Sequence, residues 1–514
     1  MSRSSRFLSG LSVGYAYLAL VAVVGFVLGP FLLARLGKGT WGLWLAAAQF
    51  TGYLGLLDLG TLGLIPRETG YAKGEDARSS RDDAAGPGGR VQETASKAIQ
   101  LMLWQTPVVA VAAGLAWLLL PERYAALQGP YSLVLVAFVL VFPARSFQAV
   151  LDGLQEFRFI GRAQMAAWSA GTALMVLGVV RGYGLWALAA GWIATEVSMA
   201  AACGWRLHRA LPEGLRLRRS GRAEAAAFLR KGLWITAGKL THQLVMNSDL
   251  LIVGHFLGPE AVVPYSCTGK LIAVLANQPT MLLNTAGPGL AELKALREPE
   301  RLRRARTALM RMTLVVSGAL AVVVLAVNQA FVSRWIGPEQ YGGRWLTLAM
   351  AATMLLRHLN TSMATAVFHA GYERRLTIAS LVDAGVTVGA GAALCAAVGP
   401  IGVPLGSLLG GCLVGVPVNL VTLAGEERQP VLRTLADYWS PLWRLAVAGA
   451  IAAALGLQDV LPLTWPAIAA LAAAAGAVYG LVIAPVALGP PVGDYLRPRL
   501  DALWRRVRGA FTAV

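Results

Sequence analysis

The chain has 514 residues, of which 56% are hydrophobic and 14% charged, with a formal net charge of +18 and a mean hydropathy of +0.58. A water-soluble domain carries about 25% charged residues, so most of this surface is built for a solvent other than water. The Lys and Arg excess falls in short segments between apolar runs, which argues against nucleic acid as a partner and for membrane topology.

The first apolar run, Leu18–Leu33, is almost unbroken, and Val108–Leu120, Leu133–Phe142, Leu314–Val327, Ala384–Val398 and Ile468–Leu488 repeat the pattern. Crossing hydrocarbon takes ~20 residues of helix, and a barrel would show alternating strands of ~10 residues. Continuous runs of Leu, Ala, Val and Gly predict an all-α polytopic transmembrane bundle of about fourteen helices. The expected spans are 8–34, 41–64, 98–120, 131–151, 163–181, 185–205, 232–257, 262–289, 308–334, 345–369, 376–397, 402–424, 442–457 and 465–488. The first is too long for a signal peptide and has no small-residue cleavage site, so it is expected to stay as a helix. Cys203, Cys267, Cys395 and Cys412 lie in apolar stretches without metal-ligand spacing and read as small core residues.

With the N-terminus inside, 35 Lys and Arg fall in inside segments and six in outside loops; the other four, Arg145, Lys239, Lys270 and Arg357, lie within spans. This asymmetry predicts both termini inside and an even helix number, in a cytoplasmic (inner) membrane. Outside connections are all short. Inside, Tyr71–Ser96 reads as a polar, Gly-rich loop and Arg206–Lys231 as a basic linker. Leu36-Gly37 recurs as Leu257-Gly258, Glu156 and Arg158 as Glu373 and Arg375, and Gly184-Leu185 as Gly402-Val403, at offsets of 221, 217 and 218. The repeat predicts two pseudo-symmetric six-helix lobes with a pathway between them. The expected divisions are 1–212, a cytoplasmic linker 213–231, 232–425, and 426–514 for the last two helices and a basic tail.

Ionisable groups inside a bilayer face water or one another. Lys239, His242, Met246 and Asp249 share one face of the seventh span, and Lys270, Asn277 and Asn284 one face of the eighth. They read either as a lumen lining or as a structural Lys–Asp pair. Arg145 and Arg357 stand at similar places in the two halves and either project into a cavity or make helix contacts. Asp58, Glu196, Asp249 and Asp383 are the embedded acids that could exchange a proton or hold a cation, with a structural hydrogen bond as the other reading. Gln49 and Tyr53 share a face and suit sugar hydroxyls or an ordinary polar core contact. A lumen with Lys239, Lys270, Arg145 and Arg357 would attract an anion such as pyrophosphate. Nucleotide-binding and zinc-hydrolase motifs are missing from the sequence, and no enzyme and no cofactor is expected.

Four stretches resemble the oligosaccharide flippase (polysaccharide biosynthesis and export) family of the multidrug/oligosaccharidyl-lipid/polysaccharide exporter superfamily. They are Leu36–Leu43 with Leu56–Gly60; Asn247–Gly258 with Tyr265; Gly287–Leu293; and Trp335–Tyr341. The resemblance covers roughly residues 8–425. It implies two lobes rocking between inward-open and outward-open states, a polyprenyl-pyrophosphate-linked glycan as cargo, and coupling to a cation, proton or sodium. The membrane lipid and polysaccharide polymerase or assembly proteins are the partners expected. The last two helices lie outside the two-lobe core and in relatives can form a groove for a lipid tail. Rival readings are a cation-coupled multidrug exporter, a lipid II flippase, a membrane glycosyltransferase or polymerase, and a scramblase or assembly partner. Embedded basic residues argue against the drug exporter, and short outside loops against the enzyme.

Overall fold

A computed structural model describes residues 3–79, 89–118, 124–211, 247–276, 298–455 and 464–494, with isolated positions among 236–245 and at 120, 279 and 283. Among the described residues the chain is helical without strands, and nine helices are long and apolar enough to cross a membrane. The protein is an all-α, multi-pass membrane protein. It divides into two compact units, Met1–Gln243 and Leu244–Val514. The division lies inside the expected seventh span rather than in the basic connector. Gln243, the last residue of the first unit, accepts a hydrogen bond on its carbonyl from the Tyr53 hydroxyl, 3.3 Å away.

The first unit contains α1 (Arg3–Leu54), α2 (Thr61–Ser79), α3 (Arg90–Leu118), α4 (Ala125–Val141), α5 (Arg145–Gly153), α6 (Phe157–Val180) and α7 (Leu185–Ala210). α1 covers two expected spans and is broken at Gly37, whose φ of 77° and ψ of 165° suit glycine alone. Gly258, its expected counterpart in the second half, adopts φ 88° and ψ 165°. The Leu-Gly repeat therefore encodes the same backbone break in each unit.

Two sequence expectations change here. The second span ends at Leu54 rather than near residue 64, because a tight turn at Gly55–Asp58 follows and Leu59 is left-handed at φ 46°. The expected loop Tyr71–Ser96 holds the end of α2 and the start of α3. Asp76 accepts hydrogen bonds from the backbone N–H groups of Arg90 and Val91 at 3.2 and 3.1 Å, satisfying orphan donors of α3, and Arg90 pairs with Glu75. Lys73 donates to the Leu154 carbonyl at 2.9 Å, which ties α2 to the end of α5.

The second unit contains α8 (Asp249–Phe256), α9 (Pro259–Thr268), α10 (Lys270–Leu275), α11 (Pro299–Trp335), α12 (Arg344–His369), α13 (Glu373–Val398), α14 (Gly402–Gly410), a π-helical turn at Gly411–Gly415, α15 (Val416–Glu426), α16 (Val431–Leu455) and α17 (Trp465–Ala487). Every expected span contains a described helix or part of one; 232–257 and 262–289 are described only in part. The last two helices share the buried core of this unit instead of standing apart. Leu445, Ala448, Ala475, Tyr479 and Ile483 pack with Met310, Leu314 and Met363. Tyr479 donates to the Val315 carbonyl at 2.7 Å, and Gly318 leaves the room its hydroxyl needs.

Small residues let neighbouring helices approach in hydrocarbon, where no hydrophobic force drives them together. In the first unit α6 and α7 meet at Gly171 and Gly191, where a Cβ on either would strike the other's carbonyl. In the second, α13 and α14 meet at Gly391 and Gly406, and a Cβ on Gly406 would fall on the Gly391 backbone. Of the four cysteines, Cys203, Cys267 and Cys395 are buried as expected, whereas Cys412 is exposed on the π turn.

Gly406→Val should cost about 1–3 kcal/mol through overpacking against backbone that cannot yield. Gly389→Ala, two residues before Gly391 on α13 and with open space around it, should be neutral or slightly stabilising. Thermal melts of the purified protein in detergent measure both, and equal melting temperatures would remove the close approach as a packing determinant.

Candidate functional site

In the first unit a cavity of about 440 Å³ is lined by Arg145, Gln148 and Asp152 of α5, Gln164 of α6, Thr195 and Glu196 of α7, and Tyr17 of α1. Spacings of three and four place the three α5 residues on one face. The opposite face, with Val150 and Leu151 fully buried, packs against Ile65, Ala95, Ala98 and Leu207. Pro143 sits in a short 3-10 turn between α4 and α5 and re-aims the chain there; the Ser146 hydroxyl closes it by donating to the Pro143 carbonyl at 2.7 Å. The Arg145 guanidinium carbon lies 4.8 Å from the centroid of the Phe138 ring, a cation–π contact that holds the side chain on the cavity wall. Thr195 donates to the Gly191 carbonyl at 3.0 Å, so its hydroxyl is left to accept.

Chemically the cavity offers a guanidinium and two amides, which suit an anion or a polyol, beside two carboxylates, which suit a proton or cation. Arg145 and Glu196 were each expected in the site, and the structure brings both into one chamber. Sequence reasoning missed Gln148, Asp152, Gln164, Thr195 and Tyr17. The signal was present for α5, where Arg145, Gln148 and Asp152 recur at helical spacing.

The remaining first-unit candidates go elsewhere. Asp58 is 1% exposed, and its carboxylate accepts from the Gly60 N–H at 3.0 Å, capping the turn before α2. Tyr53 is engaged with Gln243, and Gln49 is half-buried on α1 outside the cavity. Lys239 and His242, together with Asn277 of the second unit, lie outside the described residues.

In the second unit Arg357 and Asp383 are each other's partners. Arg357 is 6% and Asp383 3% exposed, with Nη1 2.5 Å from Oδ2. Arg357 also donates to the Ser407 hydroxyl at 3.0 Å, the Thr387 hydroxyl at 2.6 Å and the Ser407 carbonyl at 2.8 Å. One residue was expected to bind cargo and the other to couple an ion; here they form one closed, buried pair joining α12, α13 and α14, because neither charge can stand alone in hydrocarbon. Asp249 accepts a 2.7 Å hydrogen bond from the buried Tyr265 hydroxyl, so the Asp and Tyr of one family-like stretch tie α8 to α9 across the Gly258 break. Lys270 opens α10, half-buried. His358, read as a scattered histidine, sits between the Ser317 hydroxyl at 2.8 Å and the Ala276 carbonyl at 2.9 Å. A carbonyl only accepts, so Nε2 carries a proton.

The sequence pattern of the polysaccharide biosynthesis protein family matches residues 101–348. Over those residues the chain is similar to polysaccharide biosynthesis proteins. It is similar in fold to the lipid II flippase MurJ in an inward-closed conformation, at TM-score 0.53 and 10% identity, with 90% of this chain and 99% of that one covered. An inward-facing multidrug resistance MATE family transporter of the MOP superfamily aligns at TM-score 0.57 and 14% identity, covering 84% and 98%. A MOP superfamily transporter from Pyrococcus furiosus, described by the reverse polarity of its binding pocket, aligns at TM-score 0.50 and 14% identity over 84% and 95%. These likenesses establish the fold. No curated protein matches the chain significantly by sequence.

The buried pair fixes a stability cost. Arg357→Met should lose about 3–5 kcal/mol by stranding Asp383, and Arg357→Met with Asp383→Leu should recover most of that loss. A double-mutant cycle on detergent melts reads the coupling; a double variant as unstable as the sum of the singles would contradict the pairing.

Proposed function

We propose that this protein is a flippase that translocates a polyprenyl-pyrophosphate-linked oligosaccharide across the cytoplasmic membrane by alternating access, without covalent chemistry. The observation that carries the reading is the cavity in which Arg145 stands beside Gln148 and Gln164, in a chain related to polysaccharide biosynthesis proteins. A guanidinium gives phosphate oxygens charge-assisted hydrogen bonds, and amides match sugar hydroxyls. At about 440 Å³ the cavity holds one part of such a headgroup, a sugar ring or the pyrophosphate, while the polyprenyl tail stays in lipid. Lys239, Lys270, His242 and Asn277 complete the proposed cargo path.

Asp152 and Glu196 supply the coupling. A proton or sodium bound there during one half of the cycle carries charge, and one charge crossing 100 mV gains about 2.3 kcal/mol. Asp249 and Asp58, each hydrogen-bonded within its own unit, are supporting groups in this scheme. The same two carboxylates also favour a second reading, an exporter of cationic compounds driven by a cation gradient. Cargo separates the two: the flippase moves an anionic glycolipid, the exporter a cation.

Reconstituted in liposomes, the protein should flip a fluorescent polyprenyl-pyrophosphate oligosaccharide. Arg145→Ala should slow it by about tenfold or more, the loss of one charge-assisted contact of about 1.5–3 kcal/mol. Glu196→Gln should abolish the response to an imposed proton or sodium gradient while leaving gradient-free exchange. Unchanged flipping in Arg145→Ala rejects the cargo site; transport of a cationic dye but not of the glycolipid selects the exporter.

A further inference from the structure

A second concavity, of about 580 Å³, lies in the second unit between α13 and the segment formed by the π turn and α15. One wall is a single helical face. Arg375, Ile378 and Val382 recur at spacings of three and four, and Arg374, next to Arg375 and four residues before Ile378, shares the polar end. Val414 and Val418, four apart, make the opposite wall. Ile378 and Val382 are each half exposed. Tyr372 closes the polar end by donating to Glu426 at 2.9 Å, which links the start of α13 to the end of α15 and occupies the nearby acid. Among the described residues neither Arg374 nor Arg375 makes a hydrogen bond or an ion pair.

We infer that this groove binds an anionic phospholipid of the surrounding bilayer, with its phosphate on Arg374 and Arg375 and one acyl chain along Ile378, Val382, Val414 and Val418. Charge complementarity selects the head: two exposed guanidinium groups on successive residues at the first turn of a helix, where backbone N–H groups also favour an anion. Position selects the tail. The apolar wall begins one turn from the arginines and runs about 10 Å to Val382 at 1.5 Å per residue, the order in which a lipid presents phosphate and hydrocarbon. An aqueous anion would use the arginines and leave the valines unexplained. The groove is separate from the Arg145 cavity and takes no part in the cargo scheme.

Native mass spectrometry of the delipidated full-length protein tests this, with phosphatidylglycerol and phosphatidylcholine as probes. Wild type should prefer phosphatidylglycerol. Arg374→Ala with Arg375→Ala should weaken its binding about 30-fold, which is about 2 kcal/mol at ~1 kcal/mol per basic residue near the surface. Arg374→Lys with Arg375→Lys should retain most of the preference. Val418→Trp, which fills the groove and leaves both charges, should weaken binding of both lipids. Unaltered melting temperatures certify folding in each variant. Equal phosphatidylglycerol binding by wild type and the double alanine variant overturns the assignment, as does polyprenyl phosphate outcompeting phosphatidylglycerol at this groove. None of these readouts involves translocation, so failure here is distinct from failure of the flippase reading.

Discussion

A charge held in hydrocarbon has to find its opposite, and the Arg357–Asp383 pair is where this protein meets that demand most fully. The pair draws Thr387 and Ser407 around it and so joins three helices through side chains. Glycines make the arrangement sterically feasible: a Cβ at Gly410 or Gly415 would collide with the Asp383 carboxylate. Composition and electrostatics thus act together, small residues clearing the space that a large cation and its partner then fill.

The two units answer the same problem differently. In the second, the embedded Arg is consumed by a partner. In the first, Arg145 is braced by an aromatic ring and stays on a cavity wall among amides and carboxylates. A residue whose hydrogen-bonding capacity is spent on structure cannot also exchange ligands on a transport cycle, whereas one held by a cation–π contact keeps its N–H donors for a ligand.

Much of this was legible beforehand. Apolar runs located the membrane helices, and the Leu36-Gly37 and Leu257-Gly258 repeat marked real backbone breaks because only glycine adopts that conformation cheaply. Other features were hidden for physical reasons. Arg357 and Asp383 lie 26 residues apart on different helices, so no local pattern announces their meeting. α2 was concealed because its polar end resembles a loop and is held by Asp76 capping a helix 14 residues further on. Asp152 sits near the end of a span, where an acid reads as interfacial, although its helical spacing from Arg145 and Gln148 already put it on their face of α5. The close packing of α16 and α17 on α11 depends on Gly318 receiving Tyr479, a fit of shapes that hydropathy does not encode.

The π-helical turn at Gly411–Gly415 has a consequence for everything after it. One surplus residue in a turn swings the downstream helix by about 100° around its own axis. With that rotation Asn419 reaches inward to donate to the Asn360 side-chain oxygen at 2.8 Å, while Val418 is left on the groove that Val414 of the turn also lines. Shortening the turn by a single residue would point an amide at hydrocarbon and carry the groove's valines out of line, so the phase of α15 is written in the winding of five residues rather than in its own sequence.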